Sequence, residues 1–366
     1  MQINFNFPVI LNGAVIVLGL FAATSLFFRK QNRLANQLLS LFLISISLWL
    51  IDNFMRISGI YQQNPDYYFK PIYYSFAFGP LLYFYVTSIT NSEFRFQKLH
   101  CLHFIPVLLQ ASLYLFLTFQ DYSFKRWYWL EIHSPYTYRI EFNGSFLSLA
   151  IYLFFSIKLL NRYQQWLNNE YSETSKTRLN WLKLILTGML LLTIQWFVEV
   201  ILRDFYENFY QYNYSTFILG LVTLILAYWA FHQADQKAIV YQKPVDKKPE
   251  SKSIDFKEEL LDQIEDRMRV HKDYLDPTLS LKTFASNCKL PQRLVSQYIN
   301  QRLNRSFHDY VNYYRVEEFK RQIESSKDQL MTFEGLAYEC GFNSKATFNR
   351  IFKKFTGLTP TQFVSK

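Results

Sequence analysis

Seven apolar stretches follow one another within the first 234 of 366 residues: about Val9–Phe28, Leu38–Met55, Ile72–Thr90, His103–Phe119, Phe146–Leu160, Leu182–Ile201 and Thr216–His232. A helix needs about 20 mostly apolar residues to cross a hydrocarbon core of about 30 Å. The stretches approach that length, and the shortest, the fifth, extends back toward Asn143. Their interruptions are mostly Ser, Thr, Asn or Gln, which a helix bundle accommodates by hydrogen bonding between neighbours. Helices of a soluble core carry a charged face, whereas Val9–Phe28 has no ionisable residue. The pattern predicts a multispan bundle of about seven transmembrane helices. Met1–Phe7 carries no Lys or Arg, so it lacks the positive n-region of a secretory signal.

The mean hydropathy of -0.05 would by itself suggest a soluble chain. The net charge of +10 shows why that average misleads. Residues 1–234 hold 16 Lys+Arg and 11 Asp+Glu, residues 235–273 hold 9 and 10, and residues 274–366 hold 14 and 8. A sparsely charged membrane half (1–234), a charged linker with an amphipathic helix (235–273) and a small basic domain (274–366) are thus expected. Orientation follows from basic residues in short loops. Arg29, Lys30, Arg33, Arg95, Lys98, Arg162, Lys176 and Arg178 fall on one side, against Arg56, Lys70, Lys125, Arg126, Arg139 and Arg203 on the other. The excess predicts an outside N-terminus and a cytoplasmic C-terminal domain.

Rings gather toward the predicted outer face: Tyr67, Tyr68, Phe69, Trp127, Tyr128, Trp129, Tyr206, Phe209, Tyr210, Tyr212 and Tyr214. They fit an interfacial belt; with the expected long loop Gln120–Asn143 they also fit the lining of an outward-facing ligand site. Asp52 with Arg56, and Glu199 with Arg203, stand four residues apart and predict helix-end salt bridges. His100 and His103 lack a third ligand on their face, since Cys101 points elsewhere, so no metal site is expected. Cys101, Cys288 and Cys340 are odd in number and far apart and form no disulfide framework.

In the linker, Pro244 and Pro249 discourage continuous helix. Ile254, Leu261, Met268 and Leu275 then recur at heptad spacing. Such a face permits a short coiled coil and hence a homodimer. Lys257 and His271 occupy the intervening core positions, which favours packing onto the following domain instead.

The basic domain repeats one plan. Leu279–Ala285 reads as a helix ending near Cys288, Lys289 and Leu290, with Pro291 opening the next helix, Pro291–Arg302. Met331–Glu339, a turn over Cys340, Gly341, Phe342 and Asn343, and a helix Ser344–Phe355 restate it. Helix, tight turn and helix is the plan of a helix-turn-helix, whose second helix enters the DNA major groove. On the first such helix Leu294, Tyr298 and Ile299 are the expected buried stripe, leaving Arg293, Ser296, Gln297 and Asn300 on another face. On the second, Phe348, Ile351, Phe352 and Phe355 are the stripe, leaving Lys345, Thr347, Asn349 and Arg350 toward solvent. Arg and Lys donate to guanine, Asn and Gln pair with adenine, and Lys353 and Lys354 suit phosphates.

The stretch Leu279–Phe363 resembles the DNA-binding domain of the AraC/XylS family of bacterial transcription regulators. The resemblance rests on Ala337-x-x-Cys340-Gly341-Phe342-Asn343-Ser344, Phe348-Asn349-Arg350-Ile351-Phe352-Lys353-Lys354 and Gly357-Leu358-Thr359-Pro360, with Phe307-x-x-Tyr310-Val311-Asn312-x-x-Arg315-Val316 at the start of the linking helix. It implies two helix-turn-helix units joined by a long helix, base contacts from Arg293, Ser296, Gln297, Lys345, Asn349 and Arg350, and RNA polymerase as a partner. One departure is Phe284-Ala285-Ser286-Asn287-Cys288-Lys289, where the family usually has Gly or a small residue. The N-terminal half is similar to that of membrane-anchored members, which implies a bacterial inner-membrane location.

The expected protein is therefore all-α: a membrane bundle followed by a cytoplasmic tandem helix-turn-helix domain that binds promoter DNA, with no enzymatic activity, no cofactor and an unidentified signal. A sensor kinase with His271 as phosphoacceptor is excluded, because only Gly335, Gly341 and Gly357 follow it and no phosphate loop can be built from them. A receptor or transporter with a DNA-binding appendage is the alternative, though no internal symmetry supports it.

Overall fold

The computed structural model describes residues 5–91, 93–174, 179–206, 214–232, 258–325 and 332–365. Among them there is no strand; Tyr171 and Ser280 form an isolated antiparallel bridge. The chain divides into two compact units, Met1–Asn161 with Leu179–Gln242, and Arg162–Arg178 with Lys243–Lys366.

The first unit contains α1 (Phe7–Phe27), α2 (Arg33–Ile57), α3 (Ile60–Gln63), α4 (Phe78–Thr90), α5 (Ile105–Thr118), α6 (Tyr122–Tyr128), most of α7 (Tyr138–Glu170), α8 (Asn180–Tyr206) and α9 (Tyr214–His232). Among the described residues five helical stretches are long and apolar enough to cross a membrane: Phe7–Phe27, Arg33–Ile57, Lys98–Thr118, Tyr122–Glu170 and Asn180–Tyr206; Tyr214–Trp229 is a shorter apolar helix. The exterior is itself apolar, with Val17, Phe21, Phe154 and Phe217 all more than 60% exposed. Polar groups face inward and bond to backbone: Ser40 Oγ donates to the Ala23 carbonyl at 2.7 Å, and Asn12 Nδ2 to that of Leu50 at 3.3 Å. Close approach of α1, α2 and α9 depends on Gly19, where a Cβ would lie 2.6 Å from Ser47 Oγ and 2.8 Å from Thr223 Cγ2.

Three expectations are corrected. The third apolar stretch is α-helical only from Phe78, after a 3-10 turn over Ser75–Ala77, because Pro80 has no N–H to offer the Phe76 carbonyl. The resulting α4 has 13 residues and spans about 20 Å. The segment 120–143 is not a long loop. Asp121 caps α6 by accepting from the Phe124 amide at 2.9 Å, and the missing donor of Pro135 is absorbed by a π-turn, Trp129–Thr137, leading into α7. Arg203 does not pair with Glu199: it bonds Asp204 at 2.8 Å and Asn143 Oδ1 at 2.6 Å, while Glu199 accepts from Gln195. Asp52 and Arg56 do pair, at 3.3 Å. Tyr67 and Trp127 face outward, whereas Phe69 and Tyr128 are buried with Tyr114 and Leu117. Phe209, Tyr210 and Tyr212 lie outside the described residues.

The second unit contains α10 (Glu258–Arg269), α11 (Leu281–Asn287), α12 (Gln292–Gln297), α13 (Phe307–Ser325), α14 (Phe333–Glu339), α15 (Lys345–Thr356) and α16 (Pro360–Val364). Two apolar cores lie along α13. Phe307, Tyr310 and Val311 join one with Phe284, Val295 and Ile299; Val316 and Phe319 join the other with Phe342, Phe348 and Phe352. The heptad positions of α10 are occupied within the unit. Ile264 and Met268 are fully buried in the first core, and Leu261 and Leu275 pack against it. Ile254 and Lys257 lie outside the described residues.

Candidate nucleic-acid interface

Each half of the second unit starts its first helix with a hydroxyl cap. Ser280 Oγ accepts from the Thr283 amide at 3.1 Å and Thr332 Oγ1 from the Gly335 amide at 3.1 Å. The turns that follow are the same object built twice. The Lys289 amide donates to Ser286 and that of Leu290 to Ala285, both at 3.0 Å; the Gly341 amide donates to Tyr338 at 3.0 Å and that of Phe342 to Ala337 at 3.1 Å. Both turns need a left-handed residue. Gly341 supplies it at φ 87°, with Tyr274 O so near that a Cβ would meet it at 2.6 Å; Lys289 takes φ 55° at a steric cost. The departure from the family pattern at Lys289 thus leaves the turn geometry intact. Cys288 and Cys340 sit in these turns, and burial pushes their thiols up to about 11 and about 12, so both are inert packing groups.

The second helices present the expected residues unequally. On α15, Lys345, Asn349, Arg350, Lys353 and Lys354 are exposed. Lys345 lies 3.5 Å from Glu334 and Lys354 2.6 Å from Asp309, while Arg350 and Lys353 make no ion pair among the described residues. Thr347 is not on this face. It is buried at 4% exposure, its hydroxyl accepting from Ser344 Oγ at 3.0 Å while its amide donates to the same Ser344, the helix N-cap. Capping consumes it. Basic residues in the last turn of α15, Lys353 and Lys354, complement the helix dipole as well as facing solvent.

In the first half Pro291 is the N-cap and not the first helical residue, and α12 passes into a π-turn at Tyr298–Arg302. Val295 with Tyr298 and Ile299 forms the buried stripe, and Leu294 is only partly covered. Arg293 is exposed; Ser296, Gln297 and Asn300 are half-buried, with Asn300 Nδ2 donating to Ser296 Oγ at 3.1 Å.

A third component went unnoticed in the sequence. The last turns of α7 and the segment after it, Arg162–Arg178, belong to this unit although they fall between two apolar stretches. Ser172 is 1% exposed and is held on all sides. Its amide and its Oγ both donate to the Leu279 carbonyl, at 3.1 and 2.6 Å. Its own carbonyl accepts from His308 Nδ1 at 2.6 Å and Asn312 Nδ2 at 3.1 Å, and its Oγ from Arg315 Nη2 at 3.3 Å. The His308 bond requires the proton on Nδ1. Gln292, the first residue of α12, donates to Glu170 at 2.7 Å. Arg315 also donates to the carbonyls of Tyr274 and Asp276, both at 2.7 Å; burial pushes it down to about 10, against the pull of Glu173 and Asp276. The one legible signal was that His308, Asn312 and Arg315 recur at i, i+4 and i+7, a polar row on a helix that is otherwise building cores.

Residues 284–366 match the family described as a helix-turn-helix domain, of AraC type. No curated protein and no solved structure matches the chain. An all-helical chain thus carries apolar helices in its N-terminal region and a C-terminal DNA-binding domain of the kind used in transcription regulation.

Proposed function

We propose that the chain is a membrane-embedded, sequence-specific transcription regulator of the membrane-anchored AraC/XylS type. In this reading residues 1–234 span the bacterial inner membrane with the N-terminus outside, and residues 274–366 bind promoter DNA in the cytoplasm. Arg293, Ser296, Gln297 and Asn300 read one major-groove segment; Lys345, Asn349 and Arg350 read the next; Lys353 and Lys354 contact phosphates. RNA polymerase is the further partner, and no catalytic step is assigned. The observation that carries the reading is the duplicated turn, with Lys289 and Gly341 left-handed at equivalent positions and a basic exposed helix face beyond the second.

The burial of Ser172 against α13 supports a sensing role for the membrane half, because α7 is one helix running directly into the docked segment. Coupling requires a stimulus that favours one arrangement of that helix over another. The test is selection of bound sequences from random duplexes by the full chain in nanodiscs. A discrete enriched sequence is expected, with binding lost in Lys345→Ala/Arg350→Ala; wild-type affinity in that double variant rejects the site assignment.

A further inference from the structure

The first unit encloses a cavity of about 920 Å³, bounded by α1, α2, α7, α8, α9 and the Tyr68–Tyr73 segment. That is the size of a site for a drug-sized molecule. Its walls are rings: Trp49, Phe69, Trp129, Tyr138 and Trp196. Its charges are not evenly matched. The two arginines that line it are already engaged, Arg56 with Asp52 at 3.3 Å and Arg203 with Asp204 at 2.8 Å. The glutamates that line it, Glu141 and Glu199, have no cationic partner within ion-pair distance among the described residues. Glu141 accepts from the Tyr114 hydroxyl at 2.9 Å and Glu199 from the Gln195 amide, both neutral donors. Asn12, 5% exposed, also lines the cavity, and its Oδ1 has no hydrogen-bond partner. Trp49 Nε1 and Thr216 Oγ1 are orphaned there too. The remaining lining cation is Lys70, half-buried and next to the ring cluster.

Carboxylates outside any ion pair, an orphan acceptor and a surround of aromatic faces are the elements that recognise an organic cation, through hydrogen bonds to N–H groups and attraction to ring faces. The cavity also reaches the apolar exterior between α1 and α9, where Leu11, Phe217 and Leu221 line it while remaining 41%, 65% and 60% exposed. The geometry points to a binding site for an organic amine with an apolar body, its ammonium between Glu141 and Glu199 and its apolar portion toward the α1–α9 opening. This deepens the proposed regulator by naming the chemistry of its signal and rests on that reading only for the consequence of binding, not for binding itself.

The probe is n-octylamine, titrated into the full chain in phosphatidylglycerol nanodiscs and followed by tryptophan emission, with n-octanol and octanoate as matched controls. Saturable binding of octylamine is expected, weakened at least tenfold in Glu199→Gln and in Glu141→Gln, with neither control saturating. Both variants keep shape and hydrogen-bonding capacity, and their retained binding of the selected DNA shows that they fold. Equal response to octanol, or undiminished octylamine binding in the Glu141→Gln/Glu199→Gln double variant, overturns the site. Repeating the titration with phosphatidylethanolamine in the disc separates the sources of the amine: competition assigns the site to a lipid headgroup, and its absence to a free amine. Octylamine that binds without altering DNA affinity leaves the amine site standing and counts against the sensing role; intact DNA binding without octylamine binding does the reverse.

Discussion

Ser172→Ala is the sharpest probe of the contact between the α7 extension and the DNA-binding unit. The change removes the Oγ bond to the Leu279 carbonyl at 2.6 Å and the bond that Arg315 Nη2 makes to Oγ at 3.3 Å. Leu279 keeps the amide of residue 172, and Arg315 keeps the carbonyls of Tyr274 and Asp276, so the fold of the unit survives. A neutral hydrogen bond contributes about 1 kcal/mol and one from a charged donor about 1.5–3 kcal/mol; the 3.3 Å length argues for the lower end of the second. Docking should weaken by about 2–3 kcal/mol, which is roughly a 30- to 150-fold change in the opening equilibrium. The amide of residue 172 donates to Leu279 only while the segment is docked, so its hydrogen exchange reads that equilibrium directly. Measured on the full chain in nanodiscs, the variant should lose roughly 30- to 150-fold in protection while the amides of α15 stay within a factor of about three. Unchanged protection at residue 172 would refute the contact as a source of docking energy.

Other outcomes follow from the same geometry. Gly341→Ala must bring a Cβ to within 2.6 Å of Tyr274 O at φ 87° and should destabilise the second half by at least roughly 2 kcal/mol. Lys289→Gly relieves a left-handed residue and should stabilise the first half by about 0.5–1 kcal/mol, both read from exchange of the core amides. Glu318 is subject to a burial that would raise it, yet hydrogen bonds from Gln322, Arg321 and Tyr274, with Lys272 nearby, hold it down to about 2 against an ordinary 4.5. Its folded value lies below its unfolded one, so the stability it contributes is present above about pH 4.5 and is lost as pH falls through about 2. The gap corresponds to roughly 3 kcal/mol, and protection of α13, corrected for intrinsic exchange, should fall over that window less steeply in Glu318→Gln. On selected DNA, Arg350→Ala should cost about 1–3 kcal/mol and relax preference at one base pair. Lys353→Ala should instead weaken binding to all sequences and lower the salt slope by about one, as compared in titrations at several salt concentrations.

The helices of the first unit were legible because an apolar run of about 20 residues is a local property, and so were the turns of the second, where Gly341 and the Ser and Thr caps act within four residues. Thr347 was misassigned because its polarity outweighed its position: two residues from both Lys345 and Asn349, it lies on the far side of α15 with Phe348 and Ile351, buried and bonded to Ser344. The loop expected over Gln120–Asn143 is helical instead, since a π-turn absorbs Pro135 at the cost of one register step. The Glu199 and Arg203 spacing promised a pair, but Asn143 and Asp204 offered the guanidinium closer partners. Docking of Ser172 joins positions 107 to 143 residues apart, and contact at that range leaves no pattern in any short window. Only the polar row His308, Asn312 and Arg315 announced that α13 had something other than a core to meet.

Two reading helices per chain are the central claim, and nuclease footprinting of the full chain in nanodiscs on a selected duplex tests it most directly. Protection is expected over two successive major-groove segments on one face of the duplex. The segment read by α15 should be lost in Lys345→Ala/Arg350→Ala, and the other in Arg293→Ala/Gln297→Ala. A single protected segment, or uniform protection that follows salt alone and ignores sequence, would contradict it.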